Sequence, residues 1–263
     1  MSNVYLDPGH GGTDPGATGN GLREKDLTLK ISLYTRDYLI NNYQGVQVRM
    51  SRTTDKTVSL RQRTNDANNW GADVLASVHI NAHNASATGY EDFIFNGSVS
   101  QGTRDLQNTV HGEMKKLFSG FTNRGKKRAN FHMLRESKAS AILPEFLFIT
   151  NKKDAAFLKQ DGNLKKIAEH FAIGIANHLG LKGKGDNTVA VKKSNPKIQT
   201  GGLNNVNLIK VIDYFRNKGW YGEAVLNWEN GNPKIMSGGL STKMQQDYEK
   251  WLIKNGYWYK IID

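Results

Sequence analysis

The 263-residue sequence predicts an α/β fold with a mostly parallel sheet covered by helices, followed by a small α+β unit. Short apolar runs alternate with longer segments of helical period up to about residue 180, glycines and prolines punctuate the joins, and the pattern changes after Leu181. The first run, Val4-Tyr5-Leu6, reads as a buried strand stopped by "DPGHGG". Glu24 to Asn42 reads as a helix with Leu27, Ile31, Tyr34 and Tyr38 on one face, and "GVQVRMS" as a strand alternating Val46, Val48 and Met50. A second helix follows Ser59, Val74 to about Ile80 forms a buried strand, and "GYEDFIFNG" supplies another. Leu106, Val110, Met114 and Leu117 mark a third helix, and "AILPEFLFITN" is again strand-like. Leu164, Ala168, Phe171, Ile175 and Leu179 make the closing helix.

Beyond Leu181 the stretch "KGKGDNTVAVKKSNPK" reads as a linker over 182–198, dividing a domain at 1–181 from a smaller one at 199–263. Within the smaller one, "TGGLNNVNLIKVIDYFRNKGWYGEAV" lies over "SGGLSTKMQQDYEKWLIKNGYWYKII" at a shift of 37 residues. Gly201, Gly202 and Leu203 fall on Gly238, Gly239 and Leu240, Phe215 on Leu252, Gly219 on Gly256, and Trp220-Tyr221 on Tyr257-Trp258. Each half then reads as a glycine turn, a helix ended by glycine and an aromatic strand, so an internal duplication is expected.

Composition narrows the function classes. With 38% apolar and 10% aromatic residues the chain fills a real core. No stretch approaches the ~20 apolar residues of a membrane span, and the N-terminus lacks the pattern of a signal peptide, so synthesis in the cytoplasm without membrane insertion is expected. The absence of cysteine excludes disulfides and thiolate metal sites, leaving His, Asp and Glu as the donors for any metal. The net charge of +12 is even: residues 1–180 carry 23 Lys+Arg against 17 Asp+Glu, and residues 181–263 carry 13 against 7. Such a chain suits an acidic polymer, either nucleic acid or an anionic bacterial wall.

The histidine in "DPGHGG" is the first candidate for chemistry, because a plain turn needs the proline and glycines but not His10. If His10 is a ligand, Glu24 at the first turn of the first long helix and His79 at the end of the most apolar strand are its natural partners. Two histidines and a carboxylate leave a tetrahedral position open for water, as catalytic zinc sites do. Glu145, inside the apolar "ILPEFLF", is either a base beside that water or half of a structural salt bridge. His83 follows His79 by four residues but runs from strand into loop, and His111, His170 and His178 on helices read as structural. His132 in "NFHMLRES" is either near the site, steadying a reacting oxygen, or an ordinary surface or core residue. Arg124 in the basic loop "NRGKK" is either a carboxylate contact or a solvated charge.

In this order and at these spacings, "LDPGHGGTDPGATG", "REKDLTL", "RTTDKTVSLRQRTNDANNWGADVLASVHINA", "NRGKK" and "PEFLFITN" resemble the zinc-dependent N-acetylmuramoyl-L-alanine amidases of the sporulation and autolysin type, over residues 3–180. The resemblance implies a three-layer α/β domain with a central mixed sheet and one zinc ion held by His10, Glu24 and His79, with Glu145 as catalytic glutamate. The family usually carries proline and alanine where Ser140-Ala141 stand, and an aliphatic residue and a glycine at the positions of Pro144 and Leu147. The second unit resembles the small wall-binding domains that end some phage lysins of Gram-positive hosts. Its Trp220, Tyr221, Tyr257 and Trp258 read either as wall-binding contacts or as core.

The sequence therefore implies a peptidoglycan amidase with a wall-targeting module, acting on peptidoglycan and anionic Gram-positive wall polymers. Lacking a signal peptide, it fits a phage endolysin made in the host cytoplasm and released through a holin. A mother-cell lytic amidase of a spore former and a catalytically idle wall-binding protein are the alternatives. Nucleic-acid binding has only the charge in its favour, and the duplicated unit offers a route to a homodimer.

Overall fold

The structure is a computed structural model, and it describes residues 1–184, 197–200, 207, 210–211, 213–214, 242–257 and 259–262. Contacts divide the chain into Met1–Asn187 and Thr188–Asp263.

In the first unit β1 (Ser2–Pro8) leads through a hairpin, β2 (Thr18–Gly19) and β3 (Leu22–Arg23), into α1 (Glu24–Asn42) and β4 (Val46–Met50). Then follow α2 (Leu60–Trp70), β5 (Val74–Asn81), β6 (Tyr90–Phe95), α3 (Gln101–Leu117), β7 (Asn123–Ala129), α4 (His132–Arg135), β8 (Ser140–Phe148), α5 (Lys152–Leu158) and α6 (Asp161–Leu179). Six strands form one mixed sheet in the order β4-β1-β5-β8-β6-β7. The neighbours β4, β1, β5 and β8 run parallel, β6 is antiparallel to β8, and β7 is parallel to β6.

Two unequal layers cover this sheet. On one face Val4, Leu6, Val74, Ala76, Val78 and Ile80 pack with buried residues of α1, α3 and α6, among them Ile31, Val110 and Phe171. Each such fully buried aliphatic or aromatic side chain contributes about 1.5–3 kcal/mol. On the other face Tyr5, Leu75, Ala141 and Leu143 meet Ala67 and the half-buried Trp70 of α2 and Met133 and Leu134 of α4, a smaller layer than the first. Strand side chains alternate, so His79, two positions on from Ser77 and four from Leu75, and Glu145, two on from Leu143, emerge on this thinly covered face. The site is open because short helices leave the strand ends uncovered.

Local chemistry sets the boundaries. Ser59 caps α2 by accepting from the Gln62 backbone while Gln62 reaches back, a capping box, and Gly71 in the left-handed region ends the helix. The "NRGKK" segment, expected as a loop, is instead part of edge strand β7. Its run of Arg and Lys hides the strand period, and a charged edge is how sheets discourage further pairing. At Leu147 the backbone turns left-handed (φ 69°) where the β5–β8 register steps from His79↔Glu145 to Asn81↔Phe148. β8 thus spends one residue more than β5 there, a bulge, and the fully buried Leu147 holds a conformation that glycine adopts without strain.

In the second unit β9 (Lys197–Thr200) pairs antiparallel with β10 (Tyr259–Ile262), and α7 spans Thr242–Lys254. Gly256 (φ 72°) separates α7 from β10. The corresponding glycines and aromatics of the first half-repeat lie outside the described residues, as does Trp258.

Candidate active site and metal centre

His10, Glu24 and His79 come from three elements meeting at one end of the sheet: the loop after β1, the first residue of α1, and the end of β5. Their ligand atoms all lie within 4.8 Å of one another. Glu24 Oε2 is 3.1 Å from His10 Nε2, Glu24 Oε1 is 2.9 Å from His79 Nδ1, and the two rings stand nearly edge to face at 5.0 Å. Glu24 is buried, and its oxygens also accept from the backbone N–H groups of Ala17 (2.8 Å) and Ile80 (3.0 Å). Burial alone would raise its pKa, but the bonds from His10 and His79 hold it far below the ordinary carboxylate value. Burial likewise opposes protonation of His10, whereas Glu24 and Asp14 raise its pKa overall.

The donor set fits a tetrahedral zinc ion. Zinc with bonds of about 2.0–2.1 Å needs its ligand atoms roughly 3.3 Å apart, and the contacts of Glu24 with His10 (3.1 Å) and His79 (2.9 Å) are near that spacing. Among the described residues this is the one cluster of three or more His, Asp or Glu placed to hold a metal. Asp14 Oδ2, 2.8 Å from His10 Nδ1, fixes the ring so that Nε2 faces Glu24, the usual support of a metal-binding histidine.

Two glycines make room for this arrangement. A Cβ on Gly9 would stand 2.4 Å from the His79 ring, and one on Gly16 (φ 64°) would stand 2.6 Å from His10 Cδ2 and 2.7 Å from Glu24 Oε2. Gly16→Ala is therefore expected to weaken metal retention at least ten-fold by spreading His10 from Glu24, while the melting temperature of the metal-free protein drops only a few degrees. Competition with a chelator, followed by metal analysis, measures this; unchanged retention would refute the steric argument.

Buried arginines hold the ligand loop from beneath. Arg63 donates to Asp7 Oδ1 (2.8 Å) and to the carbonyls of Pro8 (2.6 Å) and His10 (2.7 Å). Arg52 donates to the carbonyls of Pro8 (3.1 Å), Gly9 (2.8 Å) and Lys25 (2.8 Å), joining the loop to the start of α1. His10 itself adopts φ 62°, a left-handed conformation that these contacts sustain.

Glu145 lies beside the triad, in register with His79 on one side and Glu91 on the other. Its Oε2 is buried without a hydrogen-bond partner. Burial, then the charges of Glu24 and Glu91, push its pKa well above the usual value. It shares a cleft of about 380 Å³ with His10, Glu24 and His79, whose lining also includes Leu60, Phe131, His132, Met133 and Leu143. No salt bridge holds Glu145, so the structural alternative for it has no partner among the described residues.

The other sequence candidates fall elsewhere. His83 is exposed and outside the triad. His111 bonds buried Asp92 through Nδ1 (2.6 Å), His170 faces Glu113 at 3.8 Å, and His178 sits half-buried on α6. Arg124 pairs with Glu91 (2.7 Å) and lies over the Phe148 ring at 4.8 Å. Tyr257 packs against Trp251 (5.5 Å) and donates to Asn207 Oδ1 (3.2 Å), while Trp220, Tyr221 and Trp258 lie outside the described residues. Sequence reasoning missed Asp14, Arg52, Arg63 and Glu91; only Asp14, four residues from His10 across a glycine turn, had a local signal.

Residues 4–177 match the family described as N-acetylmuramoyl-L-alanine amidase. The chain belongs to this amidase family. It is 48% identical over 181 residues to the N-acetylmuramoyl-L-alanine amidase CwlM of Bacillus licheniformis, covering 69% of this chain and 70% of that protein. It is 39% identical over 196 residues to the endolysin of Bacillus phage SPP1, covering 73% and 72%. Among solved structures, the catalytic domain of the amidase CwlV from Bacillus (Paenibacillus) polymyxa superposes with a TM-score of 0.65 at 30% identity, covering 69% of this chain and all of that one. The amidase family thus accounts for the first unit.

Proposed function

We propose that this amidase-family chain is a zinc-dependent peptidoglycan hydrolase that cuts the amide between the lactyl group of N-acetylmuramic acid and the first L-alanine of the stem peptide. The supporting observation is the cleft itself: two histidines gathered around Glu24 as three metal donors, with the unpartnered Oε2 of Glu145 beside them. A zinc ion bound there supplies Lewis acidity, polarising the scissile carbonyl and lowering the pKa of water. His10, Glu24 and His79 hold the ion, and Asp14 keeps the His10 ring in place. Glu145 accepts the proton of the attacking water and returns it to the departing nitrogen. Water oxygen joins the carbonyl carbon, the C–N bond breaks, and the products are a lactyl carboxylate and a free L-alanine amino group.

The same reading assigns residues 199–263 to wall binding, with the linker at 182–198, and the endolysin relative and the charge of +12 support release onto an anionic wall. In that setting the protein is made in the host cytoplasm and reaches the wall through a holin-made hole. A sporulation role is the second reading, favoured by 47% identity to the sporulation-specific amidase of Bacillus subtilis.

Digestion of purified Gram-positive peptidoglycan tests the activity: new L-alanine amino termini are expected without new reducing ends. Chelation should abolish the reaction and zinc restore it. Removing the ion should also lower the melting temperature, since a ligand bound only by the folded state stabilises it. Reducing ends in place of amino termini, or full activity after chelation, would refute the assignment.

A further inference from the structure

We propose that the cleft wall built by Leu60, Phe131, His132 and Met133 is the subsite for the N-acetylmuramoyl ring, with His132 Nδ1 accepting the acetamido N–H. This rests on the amidase reading above. The wall belongs to the thin layer: Leu60 opens α2, Phe131 caps α4, and His132 and Met133 are the first residues of α4. All four line the cleft that contains His10, Glu24, His79 and Glu145.

Leu60 is 53% and Phe131 40% exposed, and both are large apolar residues beside the reacting groups rather than in the core. Phe131 is braced edge-on by Phe93, ring centroids 5.3 Å apart, which holds it as a platform. Sugar rings present C–H groups on one face and stack on such aromatics.

The polar handle is His132. Thr64 Oγ1 donates its one proton back to its own helix, 3.2 Å from the Leu60 carbonyl and 3.3 Å from that of Arg61. With that proton so used, the 3.3 Å contact between Thr64 Oγ1 and His132 Nε2 is taken as one in which the imidazole donates from Nε2. A neutral imidazole with its proton on Nε2 has a lone pair on Nδ1. That nitrogen has no partner among the described residues. An acceptor next to an aromatic platform and the apolar Met133 and Leu143 matches an acetamido sugar: ring on Phe131, methyl on the apolar side chains, N–H on Nδ1. A stem peptide brings carboxylates, which need cations; the nearby Arg124 and Lys127 are both engaged by Glu91.

The test compares hydrolysis of N-acetylmuramoyl-L-alanyl-D-isoglutamine with that of the same compound carrying hydroxyl in place of the 2-acetamido group. Wild-type protein is expected to prefer the acetamido compound about ten-fold or more in kcat/KM, the scale of losing one matched hydrogen bond and its packing. In His132→Ala and Phe131→Ala the preference should collapse to within about two-fold, chiefly through KM. His132→Gln, which keeps an acceptor, should retain part of it. Zinc content and melting temperature are measured on every variant to confirm an intact fold. A wild-type preference that persists in His132→Ala overturns the subsite. If wild type hydrolyses neither compound nor intact peptidoglycan, the amidase reading itself fails and the subsite with it.

Discussion

Replacing Glu145 by glutamine is expected to lower kcat by about 10²–10⁴ while zinc stays bound. Glutamine has nearly the same shape but cannot accept the proton of the attacking water, and Glu145 is not among the three clustered donors. The same change should stabilise the metal-free protein at neutral pH. Burial and the neighbouring charges of Glu24 and Glu91 raise the folded-state pKa of Glu145 above its model-peptide value of 4.5. A raised carboxyl pKa favours the fold fully below about pH 4.5, and that benefit is lost as pH rises toward the folded value. At pH 8 the folded wild type therefore bears the cost of this buried carboxyl, as a charge or as a proton taken up on folding, and the variant does not. Calorimetry of chelated protein should show a higher melting temperature for Glu145→Gln at pH 8 and little difference near pH 4. Loss of zinc by the variant, or wild-type turnover, would remove Glu145 from the base role.

These expectations trace back unevenly to the sequence. Helix α1 was legible to its first and last residue, because apolar positions recur at helical spacing from Leu27 and the strand signal restarts after Gly45. The strand carrying His79 was legible because both of its faces are covered along most of its length, giving a continuous apolar run. β7 was not: its Arg and Lys residues carry no apolar alternation, and its place at the sheet edge makes none necessary. The helices α4 and α5, four and seven residues long, are too short to show a period. In the site, His10, Glu24, His79 and Glu145 stand in motifs whose chemistry shows in the sequence itself. Arg63 does not, since it acts on Asp7 from 56 positions away and on the loop's carbonyls, groups that every residue possesses. Glu91 is hidden in the same way: its neighbours Arg124 and Lys127 come from another strand, 33 and 36 positions on.

Arg63→Ala is expected to cost about 3–5 kcal/mol of folding stability, far more than loss of an exposed arginine. Arg63 and Asp7 are both almost fully buried, at 4% and 1% side-chain exposure, and their ion pair measures 2.8 Å. Removing the guanidinium takes its donors from the carbonyls of His10 and Val58, leaves the Pro8 carbonyl to Arg52 alone, and leaves Asp7 with only the hydroxyls of Ser51 (2.6 Å) and Ser77 (2.7 Å). Burial tends to raise the pKa of Asp7, yet Arg63 and these bonds hold it below its ordinary 3.8. A depressed carboxyl pKa contributes stability above pH 3.8 that disappears as pH falls through the folded value. In Arg63→Ala the uncompensated carboxylate should instead take up a proton at higher pH. The gap between variant and wild type in urea melts should thus be widest at pH 7 and narrow toward pH 4. Arg52→Ala is the informative control: it removes as many bonds to the loop's carbonyls but orphans no carboxylate, so its stability loss should be smaller and nearly independent of pH. A loss under 1 kcal/mol for Arg63→Ala, or equal pH slopes for the two variants, would mean that the loop holding His10 is fixed by its own turn rather than by the charge beneath it.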